Sequence, residues 1–214
     1  MNAFLDLLFP PRCAVCTRVD YLLCPRCLAS LPPPSTFNRA APSPLHAVTA
    51  TGYHVDALRA LVKTMKYASD LKTARHLTVI LAKRLHNALT LTGWQVDLLV
   101  AVPLHNSRQH KRGFNQAALL ASALADQTGL LYAPSALQRT RATRSQVGLD
   151  MHQRRLNMYG AFQAESSLVA GRHIVLIDDV FTTGATLAAS AEALMNAGAH
   201  SVYGLTVTTA PLTP

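Results

Sequence analysis

VLIDDVFTTGATL, residues Val175 to Leu187, decides how the rest of the chain is read. Apolar residues run into two adjacent carboxylates, Asp178 and Asp179, and these run into threonines around Gly184. HIVLID (His173 to Asp178) is the uninterrupted apolar run that a strand covered on both faces of a parallel sheet requires. Gly184 to Ala197 reads as a helix closed by Gly198. A buried strand turning into a helix is half of a βα unit. In open α/β sheets ligands bind outside the carboxyl ends of the strands, where these acids and threonines fall.

Working outward, strands and helices alternate. HAVTATGY (His46 to Tyr53) is strand-like, VDLLVAVPL (Val96 to Leu104) is a second buried run ended by proline, and SVYGLTVTTA (Ser201 to Ala210) is a further strand. Asp56 precedes a helix with apolar Leu58, Leu61, Val62 and Met65, and Asp70 precedes one with Leu71, Ala74, Leu77, Leu81, Leu85 and Ala88. Asn115 to Gln127 is helical, with Gly129 to end it. This order predicts an α/β fold with a mostly parallel twisted sheet flanked by helices.

All four cysteines, Cys13, Cys16, Cys24 and Cys27, precede a proline-rich stretch from Leu31 to Pro44. We therefore expect an N-terminal metal element at 1–31, a linker at 32–45 and the α/β domain at 46–214. C-x2-C-x7-C-x2-C turns two knuckles toward one point, the donor set of structural Zn²⁺. Paired disulfides or a redox C-x2-C are the competing readings. No export signal supports an oxidising compartment: MNAFLDLLFPP carries Asp6, no preceding basic residue and no small-residue cleavage site. No run suits a membrane span, so a cytoplasmic location is expected.

Lys plus Arg outnumber Asp plus Glu by 20 to 11, a net charge of +9. The excess favours anionic partners: phosphates, nucleic acid or acidic lipid. It concentrates in Arg108, Lys111 and Arg112, and again in Arg139, Arg141, Arg144, Arg154 and Arg155.

The turn after Asp179 suits a phosphate. Thr182, Thr183, Gly184, Ala185 and Thr186 bring hydroxyls, close backbone approach and a helix start. Two acids beside a phosphate cradle call for vicinal hydroxyls, or a metal, on the same ligand; a sugar phosphate has both features. A Walker B strand would need a G-x4-G-K-[ST] loop and a dinucleotide site a G-x-G-x-x-G, and neither occurs. Two acids that merely cap a helix would be a costly use of a buried strand end.

DDVFTTGAT after VLI resembles the phosphoribosyl pyrophosphate (PRPP) motif of type I phosphoribosyltransferases. VPLHNSRQHKRGFNQA (Val102 to Ala117), RTRATRSQVGLDMHQRRLNMYGAF (Arg139 to Phe162), the Met65–Tyr67 helix end and the cysteines extend the likeness to the ComF (competence protein F) family, over essentially the whole chain. The resemblance implies a type I phosphoribosyltransferase-like fold. It also implies that Asp178 and Asp179 hold ribose hydroxyls, that Thr182 to Thr186 wrap the 5-phosphate, and that Mg²⁺ sits on the pyrophosphate. Arg108 lies where the family places its pyrophosphate loop, and Arg112 would clamp the same group as a bidentate fork. Arg144, Gln146, Arg154 and Arg155 would belong to a lid that excludes water. Lys66, His105, His110 and Phe181 fall near the inferred site, although lone residues of these types are more often structural.

Two classes of function remain open. An enzyme would transfer a phosphoribosyl group to a nitrogen nucleophile and release pyrophosphate. A binding module would sense PRPP or hold single-stranded DNA, with transformation or recombination proteins as partners, as the ComF resemblance to DNA uptake implies. Single-strand binders interleave aromatics with basic residues, and the Arg139–Arg155 stretch has one aromatic-free basic run. A zinc-stabilised adapter is the third possibility, and the intact acids and threonines count against it.

Overall fold

The computed structural model describes residues 10, 12–13, 15–21, 23–29, 38–68, 71–105, 109, 112–141 and 150–211. Six strands form the main sheet: β1 (Asn38–Arg39), β2 (Ala47–Tyr53), β3 (Leu98–Ala101), β4 (Leu131–Tyr132), β7 (His173–Phe181) and β8 (Ser201–Thr209). Their order is β1-β2-β8-β7-β3-β4, and every pairing but β1 with β2 is parallel. β5 (Leu137–Arg139) and β6 (Phe162–Ala164) form a separate antiparallel pair. The expected mostly parallel α/β sheet is what forms.

The helices are α1 (Pro25–Ala29), α2 (Asp56–Ala68), α3 (Leu71–Leu91), α4 (Gln116–Thr128), α5 (Met151–Met158), α6 (Ser166–Val169) and α7 (Ala185–Asn196). Sequence periodicity placed the inward faces of α2 and α3 correctly, Leu71 lying outside the described side chains. Leu58, Leu61, Val62 and Met65 of α2 are buried, as are Ala74, Leu77, Leu81, Leu85 and Ala88 of α3. Each fully buried leucine contributes about 1.5–3 kcal/mol, which fixes both helices to the sheet.

Strand alternation divides the core in two. Leu99, Ala101, Val175, Ile177, Leu205 and Val207 face one layer with α2, α3 and α4. Val48, Leu98, Val100, Ile174, Leu176 and Val202 face the other, with α7, Met158 and Phe162. Cys13, Leu23, Cys24 and Cys27 belong to the first layer, so the cysteine element is packed into the same core as α2–α4.

Two features fall inside segments that read as irregular. β1 lies within the predicted 32–45 linker, paired to β2 through Asn38–Thr49 and Arg39–Val48. The stretch expected to act as a lid begins on β5 and ends in α5, while 142–149, with Arg144 and Gln146, lie outside the described residues. Strands of two or three residues carry no readable period; their partners create them.

Candidate functional site

β7 extends three residues beyond the predicted strand, to Phe181. The period of two then turns its adjacent acids to opposite faces. Asp178 faces the α7 layer and lines a narrow hollow with Val180, Phe181, Thr182, Gly184, Ala185, Thr186 and Leu187. Asp179 faces the α2–α4 layer, is 6% exposed, and binds Lys66 at the end of α2 (Nζ to Oδ2, 3.0 Å). Gln116, the first residue of α4, donates from Nε2 to the same Oδ2 at 3.0 Å.

The turn after the acids is shaped by Gly184 and Thr183. Gly184 stands at φ 77° and gives α7 no side-chain cap, so its first-turn amides have no side chain from the N-cap. Thr183 Oγ1 is buried without a hydrogen-bond partner. An added Cβ at Gly184 would lie 2.7 Å from Pro42 Cγ and 2.8 Å from Phe181 Cε2. Only glycine fits this close approach in the left-handed region.

Asp178 Oδ1 accepts from the Asp179 amide at 2.8 Å. Burial, and then the neighbouring Asp179 charge, push the Asp178 carboxyl up to about 7; the Asp179 amide, Lys66 and Arg139 pull against that rise. A carboxyl so placed gains from a hydroxyl donor or a cation. On the same edge His54 Nδ1 lies 2.8 Å from Thr208 Oγ1, and burial followed by Lys66 and Arg59 lowers its pKa.

The second edge of the site is the segment after β3. Asn115 caps α4 by accepting from the Ala117 amide (3.0 Å) and donates to the Val102 carbonyl (3.0 Å), tying the helix start to the strand end. Arg112 is half-buried just before this cap. Arg108, His110 and Lys111 lie outside the described residues, as do the side chains of Arg154 and Arg155 on α5. His105, Gln109, Asn115, Tyr132 and Arg139 line a polar hollow between this segment and β5.

The structure thus brings Asp178, Thr182, Thr183, Gly184, Ala185 and Thr186 together, with Asp179 behind them on the opposite face. Sequence reasoning passed over Gln116 and took Arg139 only as part of a basic cluster. Gln116 was visible within RGFNQ, yet nothing in the sequence said that it reaches β7. Lys66 was noticed as a lone residue, and the structure gives it a partner.

The four cysteines meet as a group of their own. Their Sγ atoms all lie within 4.8 Å of one another, Cys16 and Cys24 at 3.6 Å, and none forms a disulfide. Metal–sulfur bonds of ~2.3 Å put tetrahedral sulfurs about 3.8 Å apart, so this group could hold one metal ion. Burial raises the Cys13 thiol, but backbone hydrogen bonds at Cys16, Cys24 and Val15 bring it down to about 6. Burial and the other three sulfurs push Cys27 up to about 12. Crowded thiols with divergent acidities are what a bound cation would level.

A parallel sheet with paired acids and a threonine–glycine turn at its carboxyl edge is the architecture of a phosphoribosyl transferase domain. The model of that family matches residues 79–211, and the chain belongs to it, in the ComF group that its sequence resembles. DNA utilization protein YhgH of Escherichia coli (strain K12) is 35% identical over 201 residues, covering 89% of this chain and 86% of that protein. Competence protein F of Haemophilus influenzae is 32% identical over 164 residues, 72% of this chain and 69% of that one. Among solved structures, the glutamine PRPP amidotransferase of B. subtilis, complexed with ADP and GMP, covers 62% of this chain and 25% of its own at 20% identity, with a TM-score of 0.42.

Proposed function

We propose that this protein binds PRPP, or another ribose 5-phosphate, together with Mg²⁺, and transfers the phosphoribosyl group to a nitrogen nucleophile with release of pyrophosphate. One juxtaposition carries the reading: Asp178 stands beside an uncapped helix start where the Thr183 hydroxyl is buried without a partner. A 5-phosphate on that start would take the first-turn amides and the Thr183 hydroxyl, with Thr182, Gly184, Ala185 and Thr186 completing the cradle. Asp178 and Asp179 would accept from the ribose hydroxyls. Arg108 and Arg112 are assigned to the pyrophosphate, and Arg144, Gln146, Arg154 and Arg155 to the segment that closes over the donor.

When the bond from the anomeric carbon to pyrophosphate breaks, positive charge develops on the ribose. Carboxylates fixed on its hydroxyls stabilise that charge, and exclusion of water protects it from hydrolysis. The oxygen donors at Asp178 fit a hard cation, because Mg²⁺ sites use one or two carboxylates plus substrate phosphates. Bound there, Mg²⁺ supplies charge neutralisation on the pyrophosphate.

Zn²⁺ is the metal we assign to Cys13, Cys16, Cys24 and Cys27, in a structural role, since four thiolates leave no open position. A cytoplasmic location accords with reduced thiols. No helix among the described residues is long and apolar enough to cross a membrane. The relatives' names support a place in competence or DNA utilization. A second reading, an accessory protein that binds single-stranded DNA or senses PRPP without catalysis, is supported by the net charge of +9.

Calorimetric titration of PRPP with Mg²⁺ tests the first reading. Binding by the wild type that is lost in Asp178→Asn is the expected result and would justify a screen of nitrogen acceptors. No heat at millimolar ligand sinks the donor site and leaves salt-sensitive DNA binding as the activity to measure.

A further inference from the structure

Among the described residues, side chains hold Asp179, the second of the two acids at the end of β7. Lys66 Nζ and Gln116 Nε2 both reach its Oδ2, each at 3.0 Å, and come from different helices, α2 and α4. Oδ1 of the same carboxylate has no partner among the described residues. The orientation of Gln116 is set by chemistry: a carboxylate only accepts, so the amide NH₂ must face it. That leaves Gln116 Oε1 as a buried acceptor without a partner, on a residue 5% exposed.

We infer that Lys66 and Gln116 are positioning residues of the ligand site: they hold and neutralise one oxygen of Asp179, keeping Oδ1 as an acceptor for a ligand hydroxyl. The inference rests on the ribose-phosphate reading above. Its physical basis is a conflict of charge. Asp178 and Asp179 are both acids, and the expected donor is a polyanion, so a second uncompensated carboxylate would repel the ligand. An ammonium at 3.0 Å removes that cost. The amide of Gln116 adds a second, directional bond, so the carboxylate is fixed in rotation as well as in charge. The alternative is a brace that only joins α2 and α4 to the sheet. A brace would affect unfolding and leave ligand affinity alone.

A double-mutant cycle separates the two. Mg²⁺–PRPP affinity is measured by calorimetry for wild type, Lys66→Met, Asp179→Asn and the double variant, with Gln116→Met and Lys66→Arg alongside. Thermal unfolding of each accompanies the titrations. We expect Lys66→Met to weaken binding on the order of 10–100-fold, as loss of an orienting partner does. Gln116→Met should act in the same direction, and Lys66→Arg should restore most of the affinity. Asp179→Asn keeps an acceptor oxygen, and in that background Lys66→Met should change affinity less than about twofold. Equal loss in both backgrounds would mean that Lys66 touches the ligand itself, and overturns the inference. So does normal ligand affinity in Lys66→Met when unfolding still shows the Lys66–Asp179 coupling. A wild type that binds no PRPP instead overturns the ribose-phosphate reading, and with it the role in ligand binding, while the coupling stays visible in unfolding.

Discussion

The carboxyl of Asp178 holds its proton up to about 7, through burial first and the Asp179 charge second, against an ordinary value of 3.8. The folded protein therefore binds this proton more tightly than the unfolded chain does. The contribution to stability is full below about pH 4 and is lost as pH rises toward 7. Asp178→Asn should flatten the fall of melting temperature across that window, read by scanning calorimetry at several pH values. A ligand that needs the carboxylate should bind more tightly as pH climbs through 7 and should release a proton when bound near pH 6. Titrations in two buffers of different ionisation enthalpy would show that release. Gly184→Ala should cost about 1–2 kcal/mol from the left-handed backbone alone. The approach of Pro42 and Phe181 adds to that, giving a lower melting temperature and a weakened phosphate site. The identity of the acids and threonines was legible in the sequence, and so was their place at a strand end. Their division between two faces was implicit in the period of two, once the strand is known to run to Phe181. The Lys66 and Gln116 contacts were not legible, because they depend on which helices the sheet order brings over β7.

At the scale of elements, the long apolar runs told the truth. β2, β3, β7 and β8 and helices α2, α3, α4 and α7 stand within a few residues of where periodicity and capping residues put them. β1, β4, β5 and β6 were invisible, since two or three residues have no period and owe their conformation to a partner strand. Asn115 shows how much one legible cap does: its side chain closes the start of α4 and also grips the Val102 carbonyl beyond β3. Asn115→Ala removes both bonds. We expect a loss of about 1–2 kcal/mol, read as a lower urea midpoint at unchanged slope. The polar hollow between β3 and β5 should lose definition with it, since Asn115 lines that hollow.

Over the whole molecule, the cysteine group and the α/β sheet share one core. Cys13, Leu23, Cys24 and Cys27 are buried with α2, α3 and α4, although their spacing reads as a separate element. Removing the metal with a chelator, or Cys24→Ser, should therefore lower a single unfolding transition without splitting off an early one; calorimetry of metal-loaded and chelated protein checks this. The proline-rich segment likewise read as a spacer, yet Pro42 stands against Gly184 and β1 extends the sheet. Composition reports which residues lack a core of their own and is silent on what they later lean on.

β2 has its parallel neighbour in β8, the last strand among the described residues, through Ala47–Tyr203 to Tyr53–Thr209. The His46 and His54 amides close the ends on Val202 and Thr209. During synthesis, β2 leaves the ribosome long before the strand that must lie beside it exists. At 5–20 residues per second the wait is on the order of 10–30 s, during which an apolar strand waits with one edge open. The chain is thus most vulnerable to aggregation and proteolysis until β8 has emerged. A stop codon placed ahead of Ser201 should produce insoluble protein, read as loss of the soluble fraction on expression.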